Sequence, residues 1–114
     1  MNYKIIKGKE VQEKDFGLIK VKELLNESSF NEFSLAKVSL DGVNNLGFNK
    51  GSNLIYYILS GSGEFEIDGT NFVVEAGDAI LIPKNTKYRD KGKMTLLSLS
   101  SPRFEASNYQ VVEE

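Results

Sequence analysis

A tyrosine that follows a compact sequence of turns is the first candidate for chemistry in this chain. The stretch GDAILIPKNTKYRD, residues 77–90, reads as a Gly-Asp turn, a short apolar strand, a proline and a second polar turn before Tyr88. This arrangement indicates a scaffold that fixes the orientation of the Tyr88 side chain. A phenol in such a position can donate and accept hydrogen bonds.

The missing residue types narrow the chemistry further. The 114 residues include no histidine and no cysteine. Sites for zinc, iron, nickel or copper that need histidine are therefore excluded, as are serine–histidine and cysteine–histidine nucleophiles. Any acid–base chemistry must come from aspartate, glutamate, lysine or tyrosine. We accordingly predict no cofactor.

Length and charge indicate one soluble domain that binds neither nucleic acid nor a membrane. A chain of 114 residues is long enough for a single core. Its net charge of −2 favours neither nucleic acid nor an anionic membrane surface. The N-terminal stretch MNYKIIKGKEVQEKD lacks the apolar centre of a signal peptide. We therefore predict a cytoplasmic protein.

Short strands separated by Gly, Asn, Asp and Pro recur along the chain and predict an all-β sandwich or barrel. The Asp68-Gly69 pair predicts a two-residue hairpin turn, because both turn positions favour positive φ. The segment 18–25 suits a strand, although a short helix over 21–25 is an alternative. The predicted strands are residues 3–7, 18–25, 33–40, 54–59, 64–67, 71–75, 79–82, 94–100 and 109–112, with loops at 26–32 and 41–53.

Two glycine-punctuated stretches resemble the two motifs of the cupin superfamily. The first runs from Gly42 to Gly61, and the second runs from Gly77 to Tyr88 and includes Pro83. The stretches YYILSGSGEFEIDG and GDAILIPKNTKY are similar to cupin sequences in their residue types as well as in their spacing. The resemblance covers about residues 33–104 and implies a double-stranded β-helix, or jelly-roll barrel. Residues 1–114 are then one cupin domain, with N-terminal strands in 1–32.

The same resemblance implies a site without a metal. Cupins that bind a metal place two histidines, a glutamate and a third histidine where this chain has Phe48, Lys50, Leu54 and Tyr88. Phenylalanine and leucine cannot be ligands, and a lysine ammonium repels a cation. We therefore expect Phe48 and Leu54 to line a cavity, and Lys50 and Tyr88 to present polar ends to it.

Three further residues complete the predicted ligand-binding set. Tyr56 shares a strand face with Leu54, although Tyr57 becomes the inward residue if the register slips. Thr86 shares the face of Tyr88 if that segment is extended, and Arg103 is a candidate for the rim. Two of the earlier candidates also have a plainer interpretation: Tyr88 as an aromatic filler of the barrel, and Lys50 as a solvated loop residue.

Three functions remain open at this point. The first is a metal-free cupin that binds a small polar molecule, either sugar-like or a carboxylate, in a sensor or accessory role. The second is a metal-independent isomerase or epimerase that acts on a sugar or keto compound. The third is an interaction protein with a filled barrel. The run LIYYIL, residues 54–59, is apolar on both strand faces, so we also predict a homodimer that covers the outer face.

Overall fold

Nine antiparallel β-strands make up most of residues 3–114, the part of the chain that the computed structural model describes. Two 3-10 helices, Gly8–Glu10 and Ala106–Asn108, are the helices of this part, and neither is long enough to cross a membrane. The strands are β1 (Lys14–Asp15), β2 (Ile19–Glu27), β3 (Phe30–Val43), β4 (Gly47–Asn49), β5 (Asn53–Ile67), β6 (Thr70–Glu75), β7 (Ala79–Ile82), β8 (Tyr88–Ser101) and β9 (Tyr109–Val111).

Strand β8 organises the curled sheet. It pairs with β3 along one edge and with β5 along the other, and its first residue, Tyr88, also pairs with Gly47 of β4. Strand β9 pairs with β4, while β6 and β7 both pair with β5. The all-β jelly-roll architecture predicted from the sequence is therefore confirmed.

Alternating apolar residues on β5 and β8 form the core, because successive side chains on a strand point to opposite faces. Ile58 and Phe65 of β5 and Leu96 of β8 are fully buried, and Ile82 of β7 packs with them. Tyr88 and Leu54 belong to the same buried cluster and also line a cavity inside the barrel.

Strands β5 and β8 approach each other closely at a pair of glycines. Gly63 of β5 lies opposite Gly92 of β8, and Gly92 has a φ of +127°. A Cβ atom on Gly92 would lie 2.6 Å from the Cα atom of Gly63. A side chain at this position would therefore push the two central strands apart.

Several local predictions are confirmed. The Asp68-Gly69 pair forms the two-residue turn between β5 and β6, with both residues at positive φ. The carboxylate of Asp78 accepts a hydrogen bond from the backbone N–H of Glu75 (2.8 Å), as expected for a turn residue. Strand β7 ends at Ile82, immediately before Pro83.

Other boundaries are wrong. Residues 3–7 form no strand, and residues 1 and 2 lie outside the described residues. The loop predicted at 26–32 is a tight β2–β3 hairpin with Glu27 opposite Phe30. The predicted strands 54–59 and 64–67 are one continuous strand, β5, which includes the glycines at 61 and 63 and has a bulge near residues 58–60.

Candidate functional site

The open end of the barrel contains a cavity of about 260 Å³. Its apolar wall comes mainly from β2 and β3, which contribute Ile19, Val21, Ala36 and Val38. Its polar wall comes from β4, β5, β8 and β9. The volume approaches the lower end of typical small-molecule sites, roughly 300 Å³.

Two tyrosines of the polar wall form a hydrogen bond with each other. Tyr56 on β5 and Tyr88 on β8 face the same cavity, and their hydroxyl oxygens are 2.6 Å apart. Their ring centroids are 5.9 Å apart at an interplanar angle of 53°. One hydroxyl donates to the other, so the pair retains one hydrogen for a further acceptor.

Burial keeps both phenols protonated at neutral pH. It is the main cause of the raised pKa of Tyr56, and the negative charge of Asp90 acts in the same direction. Burial also raises the pKa of Tyr88, followed by the electrostatic effect of Tyr56. The pair therefore acts through neutral hydroxyls rather than through a phenolate.

A buried carboxylate lies beside the two phenols. Asp90, two residues after Tyr88 on the same face of β8, is 4% exposed and lines the cavity. The amide Nδ2 of Asn44 donates a hydrogen bond to its Oδ1 atom (3.0 Å). Burial raises the pKa of Asp90, although this hydrogen bond opposes the shift. Within residues 3–114, no lysine or arginine forms an ion pair with it.

The last strand adds a third phenol to the wall. Tyr109 of β9 lines the cavity, and burial, followed by the charge of Asp90, raises its pKa. Its hydroxyl packs closely over Gly47, where a Cβ atom would lie 2.4 Å from the Tyr109 oxygen. A glycine at position 47 is therefore what allows β9 to bring this phenol into the site.

Three of the seven predicted site residues meet at the cavity. Leu54, Tyr56 and Tyr88 line it, and Tyr57 lies on the opposite face of β5. Ligand binding by any of these residues is still a prediction. Their common position nevertheless follows the strand periodicity that we used to select them.

The expected inward orientation of two loop residues is wrong. Phe48 and Lys50 do not line the cavity, and Lys50 is exposed. Strand β4 instead turns Gly47 and Asn49 inward, and both are buried. The register is shifted by one residue, which exchanges the two faces of a strand.

Thr86 and Arg103 also lie outside the cavity wall. The backbone N–H of Thr86 bonds to the carbonyl of Pro83 (3.2 Å), so this segment is a turn and is not extended as the prediction required. Arg103 lies at the mouth, where its guanidinium donates to the side chains of Asn31 (2.8 Å) and Asn26 (3.2 Å). Asn26 is itself part of the cavity wall.

The polar residues that sequence reasoning missed include Asn44, Asn49, Asp90 and Tyr109. Asp90 could have been found, because it follows Tyr88 by two residues and must share its face in a strand. The other three depend on the irregular path of β4 and on its pairing with β9. No local pattern in the sequence indicates that pairing.

The cavity wall does not suit a transition metal. The chain has no histidine or cysteine, and of the four positions that the resemblance aligns with metal ligands, the two that line the cavity are Leu54 and Tyr88. In the part of the chain that the structure describes, no three carboxylates are grouped closely enough to hold an ion. The donor set here is phenols, amides and one buried carboxylate.

Comparisons with known proteins agree with the fold. Residues 48–91 match the model of the Cupin domain family. Pac13 from Streptomyces, described as a unique nucleoside dehydratase, is 23% identical with a TM-score of 0.87, covering 99% of this chain and 92% of Pac13. Pac13 variants have also been solved with uridine.

Two other solved structures are similar. KdgF from Halomonas sp. is 20% identical with a TM-score of 0.81, covering 93% of this chain and 99% of KdgF. An RmlC-like cupin from Shewanella frigidimarina is 20% identical with a TM-score of 0.77, covering 89% of this chain and 92% of that protein. No curated protein sequence matches the chain. Identities this low establish the fold alone.

Proposed function

Because residues 48–91 match the Cupin domain family and the fold is similar to that of solved cupins, we propose that the chain binds a small, neutral, hydroxyl-bearing molecule inside its barrel without a metal ion. The observation that carries this proposal is the Asp90 carboxylate, which is buried against the cavity, accepts a hydrogen bond from the neutral amide of Asn44, and forms no ion pair with a lysine or arginine of residues 3–114. A buried anion without a cation is costly unless hydrogen-bond donors satisfy it. Ligand hydroxyls would supply those donors.

The charges of the cavity wall argue for a neutral ligand over an anionic one. No lysine or arginine is among the described residues that line it, whereas Asp90 and the more exposed Glu23 are. A carboxylate ligand, which the sequence left open, would meet like charge in a poorly solvated space. A sugar or a nucleoside would instead exchange hydroxyl hydrogen bonds with Asp90, Tyr56 and Tyr88.

Calorimetric titration with matched probes tests this proposal. We expect uridine and D-ribose to bind, and their anionic counterparts uridine 5′-monophosphate and D-ribose 5-phosphate to bind more weakly. Asp90→Asn should weaken the neutral probes by about tenfold, because it removes a charged hydrogen-bond acceptor. Asp41→Asn is the matched control, since Asp41 is exposed and lies outside this cavity. Tighter binding of the anions would refute the proposal.

A metal-independent isomerase or epimerase is the second candidate. The observation that favours it is the second titratable group next to Tyr88, the Tyr56 hydroxyl at 2.6 Å, together with the Asp90 carboxylate. A protonated tyrosine would act as the acid, and Asp90, whose pKa is raised by burial, as the base. Pac13, with the same fold, is described as a nucleoside dehydratase.

Proton exchange separates the enzyme from the binding module. A candidate sugar or keto compound is incubated with the protein in D₂O, and carbon-bound deuterium is followed by NMR. Incorporation that is lost in Asp90→Asn supports the enzyme. Binding of the same compound without exchange supports the sensor or accessory role.

The homodimer is proposed from an apolar patch on the outer face of the sheet. Ile55 of β5 pairs with Leu81 on one side and with Leu99 on the other, and Tyr57 pairs with Leu97. Ile55, Tyr57 and Leu81 are 45%, 44% and 63% exposed. A patch without charges is complementary to itself, which suits a two-fold interface. Sedimentation should give a dimer that Ile55→Lys dissociates, and a monomeric native protein would contradict it.

Two coarser predictions belong to the same proposal. Residues 1–114 would act as one cupin domain, with the ligand as its only partner besides a second copy. The cytoplasmic location is proposed from the composition and is tested by fractionation of cells that express the tagged protein.

A further inference from the structure

Asn49 is a buried amide with half of its hydrogen-bonding capacity unused. It lies on β4, is 2% exposed and is one of the residues that line the cavity. Its Oδ1 atom accepts hydrogen bonds from the backbone N–H groups of Gly51 and Ser52, both at 2.8 Å. Its Nδ2 atom has no partner.

The orientation of this amide is determined by its neighbours. Only the oxygen can accept from the two backbone N–H groups, so the nitrogen must occupy the other corner of the carboxamide. Among buried side-chain atoms of residues 3–114, Arg89 Nε is also without a hydrogen bond. Arg89 lies outside the cavity, however, and forms ion pairs with Glu66 and Glu114. Asn49 Nδ2 is therefore the unsatisfied donor of the cavity wall.

Asn49 and Asp90 mark opposite ends of the polar wall. The backbone N–H of Asn85, ahead of Tyr88, bonds to the carbonyl of Asn49 (2.7 Å). The backbone N–H of Asn44 bonds to the carbonyl of Asp90, which follows Tyr88 (3.0 Å). Gly47 of β4 lies opposite Tyr88 and the two strands are antiparallel, so Asn49 lies two residues from this pair in one direction and Asp90 two residues in the other. Their backbones are thus on the order of 13 Å apart. Both residues line the same cavity.

We propose that Asn49 Nδ2 donates a hydrogen bond to an acceptor oxygen of the ligand, at the end of the ligand remote from Asp90. This inference depends on the proposed function and narrows the ligand class. The ligand carries hydroxyls at one end, for Asp90, and a carbonyl at the other, for Asn49. A pyrimidine nucleoside has this distribution of donors and acceptors, whereas a free pentose offers only the hydroxyl end.

The test combines one variant with two probes. Asn49→Asp keeps an oxygen for Gly51 and Ser52 but replaces the donor with an acceptor. We expect it to weaken uridine by about tenfold or more, while D-ribose binding stays unchanged. Asn53→Asp is the matched control, because exposed Asn53 also accepts a backbone N–H, from Lys84 (2.9 Å), but does not line the cavity.

A second measurement covers the case in which Asn49→Asp does not fold. In ¹⁵N-labelled native protein, the side-chain amide signal of Asn49 should shift when uridine is added, and that of Asn53 should not. Unchanged uridine affinity in a folded Asn49→Asp, or an unshifted amide signal, would overturn the inference alone. If the native protein binds neither uridine nor D-ribose, the proposed function and this inference are overturned together.

Discussion

The hydrogen bond between Tyr56 and Tyr88 makes a sharp stability prediction. Tyr88→Phe or Tyr56→Phe alone removes one hydroxyl and leaves its partner unsatisfied in a buried position, which costs about 1–3 kcal/mol. The double replacement removes both hydroxyls and leaves neither unsatisfied. We therefore expect the double variant to be no less stable than either single variant, with a coupling energy of about 1–3 kcal/mol.

Urea unfolding of the four proteins measures this coupling. For a chain of 114 residues, a loss of 1 kcal/mol corresponds to a fall in melting temperature of about 4 °C, taking roughly 2.1 cal/mol/K of unfolding entropy per residue. Tyr57→Phe is the control, because Tyr57 lies on the outer face and is 44% exposed. If the losses of the two single variants simply add, the oxygens 2.6 Å apart are not a significant hydrogen bond and the interpretation of the pair is refuted.

Three further predictions concern the charge of the site, the central strands and the metal. Burial raises the pKa of Asp90 in the folded state. The Asp90 carboxyl therefore contributes its full stabilisation below pH about 3.9, the pKa of an unperturbed aspartate, and loses it as the pH rises through the folded-state pKa. Asp90→Asn should thus be more stable than the native protein at pH 7, with a difference that shrinks towards acid in urea titrations; a pH-independent difference would contradict this. Gly92→Ala should lower the free energy of unfolding by about 2 kcal/mol or more, because its Cβ meets the backbone of Gly63, whereas Gly69→Ala, with open space around it, should cost only the backbone strain of about 1–2 kcal/mol. Elemental analysis of the purified protein should find no stoichiometric zinc, iron or nickel, and one such ion per chain would refute the metal-free site.

The parts of the fold that could be predicted are those with local causes. The Asp68-Gly69 turn follows from positive φ, and the end of β7 follows from the missing N–H of Pro83. Tyr56 and Tyr88 were placed by strand periodicity and by the resemblance to cupins, and both line the cavity. These signals act over a few residues and need no knowledge of distant partners.

The parts that failed depend on contacts between distant segments. Strand β4 is only three residues long, and its register is set by Tyr88 on one side and by β9 on the other. A shift of one residue replaced Phe48 and Lys50 by Gly47 and Asn49 on the inner face. The neutral amide of Asn49 in place of the Lys50 ammonium changes the expected ligand, because no cation remains on the wall to attract an anion.

The position of Tyr109 in the chain has a consequence for synthesis. Every other residue of the cavity wall precedes it, and β9 reaches the site only by pairing with β4. On the ribosome, a chain that ends before Tyr109 can form the strand pairs of the barrel but has an incomplete wall. If the proposed function is correct, a ligand would meet the complete cavity wall only after the last strand has paired with β4.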